Sequence, residues 1–351
     1  MWNGGRLVKT SLWLKLLALL MTFACAFSLF ACQKLDDSTD DDTNEDESSK
    51  KENPVVKTFQ NPVKLDMADP DVLYWQGTYY LYGTSYGVSQ GNYYEVYSSK
   101  DLVNWEYQGI CLQNACGISS AYWAPDVKER DGKFYMLFTA NQNIGMAIAD
   151  SPLGPFVPTG FLIEGSIDGH IFFDDDGKGY IYYVSWRDGH EYALYGCELD
   201  SDLVTPKLET EVMVLKASAP YECNMGGILE APYMLKKDGV YYLTYSGSHY
   251  ESPFYCVAYA TSTNPLTGFV RYKNNPILVG DGVTVSGTGH HCITTSPDGK
   301  QMFILYHTHN SVTQIHPRNI AIGKIRFDTL NKETVLVCSP YIATPQPYPF
   351  Q

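Results

Sequence analysis

The segment at residues 239–247 reads GVYYLTYSG, in which a turn glycine precedes a run of aromatic and aliphatic residues typical of a strand leaving a hairpin. Four similar segments recur at spacings of 45 to 62 residues: GTYYLYGTS from Gly77, GKFYMLFTA from Gly132, GKGYIYYVSW from Gly177 and GKQMFILYHTH from Gly299. Repeats of this length, each with several short strands, are typical of β-propellers. The sequence therefore predicts an all-β fold, a five-bladed β-propeller.

The composition agrees with a β-rich fold. The 351 residues include 28 Tyr, 15 Phe and 6 Trp, which favour strands, and 29 Gly and 19 Pro, which favour turns. A β-sandwich is the alternative, but a sandwich does not require one similar hairpin in every period. The formal net charge is −14 and no basic patch with interleaved aromatic residues is present, so we expect no nucleic-acid partner.

The N-terminal segment has the pattern of a targeting sequence. Lys9 and Lys15 flank or enter an apolar stretch from about residue 12 to residue 31, which ends in LFAC at Cys32. The ending resembles a bacterial lipobox, so we expect residues 1–32 to be a signal peptide with lipidation at Cys32. An ordinary signal peptide and an uncleaved membrane anchor are the alternatives. The favoured interpretation is an extracytoplasmic lipoprotein, periplasmic or on the cell surface, held to the membrane by its lipid.

Residues 33–54 follow as an acidic stretch. From Gln33 to Asn53 there are nine acidic and three basic residues and one apolar residue, so the segment cannot form a core. We expect a disordered linker over 33–54 and the propeller domain over 55–351.

A polar side chain precedes each repeat glycine by six to nine residues. Since the innermost strands of a propeller line its central channel, we expect these side chains to converge on one mouth of that channel. Carboxylates packed together and buried have shifted pKa values, and one raised and one ordinary carboxyl group supply a proton donor and a base. The five residues are Asp69, Asp126, Asp168, Glu230 and His290.

With these residues in place, the sequence resembles glycoside hydrolase family 43 from about Asn61 to the C-terminus. The motifs that carry the resemblance are short, and their order along the chain makes them specific. They are ADPD, SSKDLVNW, WAPDV, IDGHIFFDDDGK, LEAP and GTGHH.

The resemblance implies a five-bladed propeller and an inverting hydrolase of arabinose- or xylose-containing glycans. By motif, Asp69 would be the general base and Glu230 the general acid, and Asp126 would tune the pKa of the acid. His290 would lie near a bound cation, commonly Ca²⁺, and no organic cofactor is implied. The third motif has Gly169 where the family commonly has Pro, and we expect the added backbone freedom to alter the sugar subsite at Asp168.

Two further residues are candidates for substrate binding. Trp123 precedes Asp126 by three residues and could stack on a sugar ring. Arg318 could reach the pocket, as a late arginine does in relatives, or could pair on the surface.

The favoured activity is that of an exo-acting α-L-arabinofuranosidase. A β-xylosidase, an endo-arabinanase and a galactofuranosidase would use the same residues, and a non-catalytic glycan-binding propeller is the alternative of another class. The carboxylate set favours the enzyme, because a pure binder needs no acid and base at matching repeat positions.

Overall fold

The computed structural model describes residues 56–85 and 92–350. The expected signal peptide, the lipidation site Cys32 and the acidic linker lie outside these residues. Within the described part of the chain, no helix is long and apolar enough to cross a membrane. Its helical segments are three 3-10 turns, at Ala115–Gly117, Leu208–Thr210 and Pro220–Glu222, and strands dominate the rest. The prediction of an all-β fold is confirmed.

The strands form five successive antiparallel units, and each aromatic repeat provides the second strand of one unit. The first unit follows β1 (Thr58–Phe59) and contains β2 (Val63–Trp75), β3 (Thr78–Ser85), β4 (Tyr93–Ser99) and β5 (Glu106–Gln113). The second contains β6 (Tyr122–Arg130), β7 (Lys133–Ala140), β8 (Asn143–Ala149) and β9 (Val157–Glu164). The third contains β10 (Ser166–Phe173), β11 (Gly179–Ser185), β12 (Ala193–Glu198) and β13 (Val212–Leu215).

The last two units complete the chain. The fourth contains β14 (Leu229–Lys237), β15 (Val240–Gly247), β16 (Cys256–Ser262), β17 (Val270–Arg271) and β18 (Leu278–Val279). The fifth contains β19 (Gly289–Thr295), β20 (Met302–Thr308), β21 (Asn319–Leu330) and β22 (Glu333–Cys338), and β23 (Gln346–Pro347) follows.

The two ends of the described chain are joined. Strand β2 pairs with β21, with Val63 opposite Ile320, so the first and fifth units share one eight-stranded sheet. Strand β1 pairs with β23. The first strands of successive units contact one another, from β2 through β6, β10 and β14 to β19, and β19 in turn contacts β2.

The second strand of each unit is buried on both faces, which explains why aromatic residues occupy adjacent as well as alternate positions in the repeats. In β3, Tyr79 packs with residues of the fifth unit, whereas Tyr82 packs with residues of the second unit. In β15, Tyr242 faces the fifth unit and Tyr245 faces the third unit. Side chains on one face alternate with those on the other along a strand, so a strand between two cores needs large apolar residues at every position.

Each first strand carries a β-bulge near its start, at the motif residues. The register of pairing with the second strand shifts there, and one non-glycine residue in each bulge has a positive φ. Bulges re-aim side chains and are common next to active sites. The residues and their φ angles are Asp69 (51°), Ala124 (42°), Asp168 (56°), Ala231 (51°) and His290 (45°).

Gly169 lies in the third bulge, where the motifs of the first, second and fourth units have proline. It is not among the glycines with positive φ, and a Cβ there would lie 3.0 Å from Cδ1 of Leu137 and 3.3 Å from Cγ2 of Ile144. Close packing of β10 on the second unit therefore accounts for this glycine better than backbone freedom does.

Below the bulges lies a ring of polar side chains, which we call the polar layer: Asp71, Asp126, His170, Tyr233 and His291. Each is the first paired residue after the bulge of its strand. Four of them bond to the backbone of the next unit. Asp71 accepts a hydrogen bond from the amide of Val127 (2.8 Å), and Asp126 accepts one from the amide of Ile171 (3.0 Å). His170 accepts a hydrogen bond from the amide of Met234 (3.0 Å). Tyr233 donates a hydrogen bond to the carbonyl of Ile293 (2.7 Å).

Candidate active site

A cavity of about 630 Å³ opens where the bulges of the five units meet. This volume is in the range of small-molecule sites. Its ionisable lining contains three carboxyl groups facing an arginine and histidines, whereas much of the remaining wall is aromatic or apolar. The carboxyl groups belong to Asp69, Asp168 and Glu230.

Asp69 is held in its ionised form. Its Oδ1 lies 2.8 Å from Nη1 of Arg318, 3.2 Å from Nδ1 of His290 and 3.1 Å from Nδ1 of His307. Burial alone would raise the pKa of Asp69, but Arg318 and the two imidazoles together hold it well below its usual value. A carboxylate that stays ionised is suited to act as a base.

Glu230 has the opposite environment. It is buried beside the positive-φ residue Ala231, and burial raises the pKa of its carboxyl group to about 7. The hydroxyl of Tyr255 donates a hydrogen bond to Oε2 over 3.1 Å, which partly opposes this rise. A glutamic acid with such a pKa carries a proton near neutral pH and can donate it.

Asp168 lies between Glu230 and His290. Its Oδ2 accepts a hydrogen bond from the amide of Ala231 (3.2 Å) and lies 3.8 Å from Nδ1 of His290. Burial raises the pKa of Asp168 to about 7, against the effect of His290, and the charges of Glu230 and Asp69 add to the rise. The repulsion between Asp168 and Glu230 disfavours the state in which both carboxyl groups are ionised.

The bond from the Ala231 amide to Asp168 distinguishes the fourth bulge from those of the second and fifth units. In the second and fifth units, the corresponding bulge amides donate to hydroxyl groups, at Thr84 (2.9 Å) and Ser246 (2.8 Å). The fourth bulge uses a carboxylate of the neighbouring unit instead, which places Asp168 directly beside the backbone that carries Glu230.

Comparison with known proteins identifies this arrangement. The family model for glycosyl hydrolases family 43 matches residues 59–337. The chain belongs to glycoside hydrolase family 43.

Named relatives in the family differ in substrate. The chain is 29% identical over 266 residues to a β-D-galactofuranosidase, xynD, of Aspergillus niger, covering 68% of this chain and 73% of that protein. It is 28% identical over 288 residues to a xylosidase/arabinosidase of Bacteroides ovatus, covering 69% and 85%. A solved endo-1,4-β-xylanase structure from Bacteroides thetaiotaomicron is 36% identical with a TM-score of 0.72, covering 81% of this chain and 96% of that one.

The structure brings together most of the residues that the sequence singled out. Asp69, Asp168, Glu230, His290, Trp123 and Arg318 all line the cavity. Trp123 occupies the same register position in its unit as Glu230 does in the fourth unit, directly before the positive-φ residue. Arg318 pairs with Asp69, so of the two options for this arginine the structure favours the pocket.

Asp126 does not line this cavity. It lies in the polar layer, where Oδ1 is 2.7 Å from Nζ of Lys128 and 2.8 Å from Nδ1 of His170. The residue of the second unit that aligns with Asp69 is Ala124, two positions earlier. Asp126 aligns with Asp71, so the structure places it where it can tie two units together and does not place it beside Glu230.

Several cavity residues lay outside the sequence motifs. Behind the cavity wall, Tyr255 and His307 contact Glu230 and Asp69; Tyr255 directly precedes β16, and His307 lies in β20 among the repeat aromatics. Residues from connecting segments complete the wall: Tyr192, Ile228, His249, Tyr250 and His316. The aromatic content of the segment 249–254 was the available signal for two of them.

The side chains around His290 do not fit the expected Ca²⁺ ion. Its ring lies between Asp69 and Asp168, and the described residues contain no group of three or more His, Cys, Asp or Glu side chains arranged to hold a metal ion. Ca²⁺ prefers six to eight oxygen ligands. Deeper in the fold, Asp71 and Asp126 face an ammonium group, that of Lys128.

Proposed function

We propose that the chain is an inverting glycosidase in which Glu230 is the general acid and Asp69 the general base. The observation that supports this most directly is the opposite shift of two pKa values in one cavity, Asp69 downward and Glu230 upward. Glu230 protonates the glycosidic oxygen as the bond to the anomeric carbon breaks. Asp69 takes a proton from the water that attacks the same carbon from the opposite face.

Asp168, and not Asp126, is proposed to set the pKa of the acid. Its carboxyl group is anchored on the amide of Ala231, next to Glu230, and the two carboxylates repel each other when both are ionised. Arg318 and His307 keep Asp69 ionised, and Trp123 offers an aromatic face to the sugar.

The proposed fold is a five-bladed propeller with one unit per blade. Its support is the cycle of contacts between the first strands and the hydrophobic clusters between neighbouring units, including one between the fifth unit and the first. We propose further that the chain acts outside the cytoplasm as a lipoprotein anchored through Cys32, which rests on the LFAC sequence and the apolar segment before it.

The proposed substrate is a pentose-containing plant-type glycan, with terminal α-L-arabinofuranose as the first candidate and β-xylose as the second. The names of the Bacteroides relatives support both sugars, and that of the Aspergillus relative adds galactofuranose. The direct test is to incubate the protein from residue 55 onward with aryl α-L-arabinofuranoside, aryl β-xyloside, arabinan and arabinoxylan. Sugar release identifies the substrate, whereas binding without hydrolysis of any of them would favour a glycan-binding protein.

The stereochemistry of the first product tests the mechanism. A single displacement by water inverts the anomeric centre, so proton NMR during the first minutes of hydrolysis should show the anomer opposite to that of the substrate. Initial release of the anomer with retained configuration would rule out Asp69 as a general base, whatever the sugar.

The pH profile tests the hydrogen bond from Tyr255. Because Glu230 must be protonated to act, kcat/KM should fall as pH rises through about 7. The Tyr255 hydroxyl favours the ionised carboxylate, so Tyr255→Phe should raise the pKa of Glu230 and move this fall to higher pH. Phenylalanine can keep the stacking of Tyr255 on His307, whose ring centroids are 5.6 Å apart.

Tyr245→Phe is the matched control for this experiment. Tyr245 is buried and donates to a carboxylate oxygen of Glu222 over 2.7 Å, and neither residue lines the cavity. Removing the hydroxyl group of Tyr245 should leave the pH profile of kcat/KM unchanged. A shift of the Tyr255→Phe profile to lower pH would contradict the assignment of the alkaline limb to Glu230.

A further inference from the structure

Two buried carboxyl groups in the polar layer have no part in the proposed reaction. Asp71 on β2 and Asp126 on β6 are 3% and 5% exposed. Backbone amides satisfy part of their bonding capacity, through Val127 and Ile171. Two buried negative charges side by side are costly unless a cation compensates them.

Lys128 supplies that cation from within the chain. Its Nζ lies 2.7 Å from Oδ1 of Asp126 and 3.5 Å from Oδ1 of Asp71, and 5.3 Å from the ring centroid of Tyr233. These three partners come from the first strands of the second, first and fourth units. Burial alone would lower the pKa of Lys128, but Asp126 and Asp71 raise it, so the side chain carries its charge at neutral pH.

The other titratable groups of the layer are consistent with one cation. His170 accepts from the amide of Met234 at Nε2, so its Nδ1 carries a proton and donates to Asp126 as a neutral ring. Burial lowers the pKa of His170. Burial also lowers the pKa of His291, to about 3. Burial and the charge of Asp126 raise the pKa of Asp71 to about 6, and Lys128 opposes this.

The space beside the polar layer is small. The chamber between the bulges and the polar layer measures about 20 Å³, which holds about one water molecule. A calcium ion with several ligands and waters needs far more room than this.

We propose that Lys128 is the resident cation of the polar layer: its ammonium occupies the place of a bound ion, ties three of the five units together and makes the fold independent of added metal. Lys128 thus acts on the architecture and not on the substrate. The same geometry makes the layer a latent cation site, since deleting this side chain would leave two carboxyl groups around an opening that fits a primary ammonium ion.

Thermal unfolding of the protein from residue 55 onward tests this proposal. The Tm of the wild type should be the same in EDTA and in millimolar CaCl₂. The side chain of Lys128 is 21% exposed, whereas its carboxylate partners are buried. Lys128→Met keeps the length of the side chain without its charge, and should lower Tm by roughly 6–15 °C, because the buried carboxylates of Asp71 and Asp126 lose their compensating charge. Lys133→Met is the matched control: Lys133 is 52% exposed and pairs with Asp150 at the surface, so its loss should change Tm little.

Two rescue measurements separate a missing cation from a simple packing defect. Adding Asp71→Asn to Lys128→Met removes one of the two negative charges and should recover part of the lost Tm. Lys128→Ala should gain Tm in propylammonium chloride but not in an equal concentration of NaCl, whereas Lys133→Ala should respond equally to both salts.

The proposal is overturned by any of three results: a wild-type Tm that falls in EDTA, a Lys128→Met variant no less stable than Lys133→Met, or a double variant with Asp71→Asn that is less stable than Lys128→Met alone. The last measurement compares Lys128→Met with its double variant and does not involve Lys128→Ala. It therefore decides the question even if Lys128→Ala fails to fold.

Discussion

Glu230→Gln should lower kcat/KM on a natural glycan by roughly 10²–10⁴-fold, because the amide cannot donate a proton to the glycosidic oxygen. Glutamine keeps the shape of the side chain and can still bond to the hydroxyl of Tyr255, which lies 3.1 Å from Oε2. The loss should therefore appear mainly in kcat, with KM little changed.

The effect of Glu230→Gln should depend on the acidity of the leaving group, which distinguishes proton donation from other roles of Glu230. An aryl glycoside with a strongly acidic phenol needs little protonation, so Glu230→Gln should lose much less activity on it than on an oligosaccharide. Glu198→Gln is the control, since Glu198 pairs with Lys178 at the edge of the third unit and does not line the cavity. Equal losses on both substrates would assign Glu230 a role other than proton donation.

Asp69→Asn should reduce hydrolysis by at least about 10²-fold on every substrate, aryl glycosides included, because the attacking water then has no base. The independence from the leaving group distinguishes this variant from Glu230→Gln. Asp69→Gly opens space beside the anomeric carbon, so azide should restore turnover of an aryl glycoside and give a glycosyl azide of inverted configuration.

A control is needed because Asp69 also compensates the charge of Arg318, and its removal affects stability. Asp174→Asn serves for this purpose: Asp174 is buried and bonds to Lys236 and Tyr241, away from the cavity. It should lower Tm while leaving kcat/KM intact well below the melting range. Full activity of Asp69→Asn, or a glycosyl azide with retained configuration from Asp69→Gly, would remove Asp69 from the role of base.

The sequence identified features that depend on local pattern. The turn glycines with their aromatic runs located the second strand of every unit, and four of the five polar residues before them line one cavity. Asp126 was the exception. It precedes its glycine by six residues where the others precede theirs by eight or nine, and this offset of about two residues is what moves it from the cavity to the layer below.

Partners that are distant in sequence could not be found in this way. The hydrogen bond between Tyr255 and Glu230 and the ion pair between Lys128 and Asp71 arise from how strands of different units face each other. In the sequence Lys128 is simply a polar residue that follows WAPDV. Its role depends on two carboxylates, one of them 57 residues earlier in the chain.

The pairing of β2 with β21 has a consequence for protein synthesis. Asp69 emerges from the ribosome early, whereas His307 and Arg318, which hold it ionised, follow 238 and 249 residues later. A nascent or truncated chain lacking the fifth unit has the proposed base but neither Arg318, its charged partner, nor the imidazole of His307. Hydrolytic activity should therefore arise in a single late step of chain completion, and fragments released early should be unable to degrade glycans.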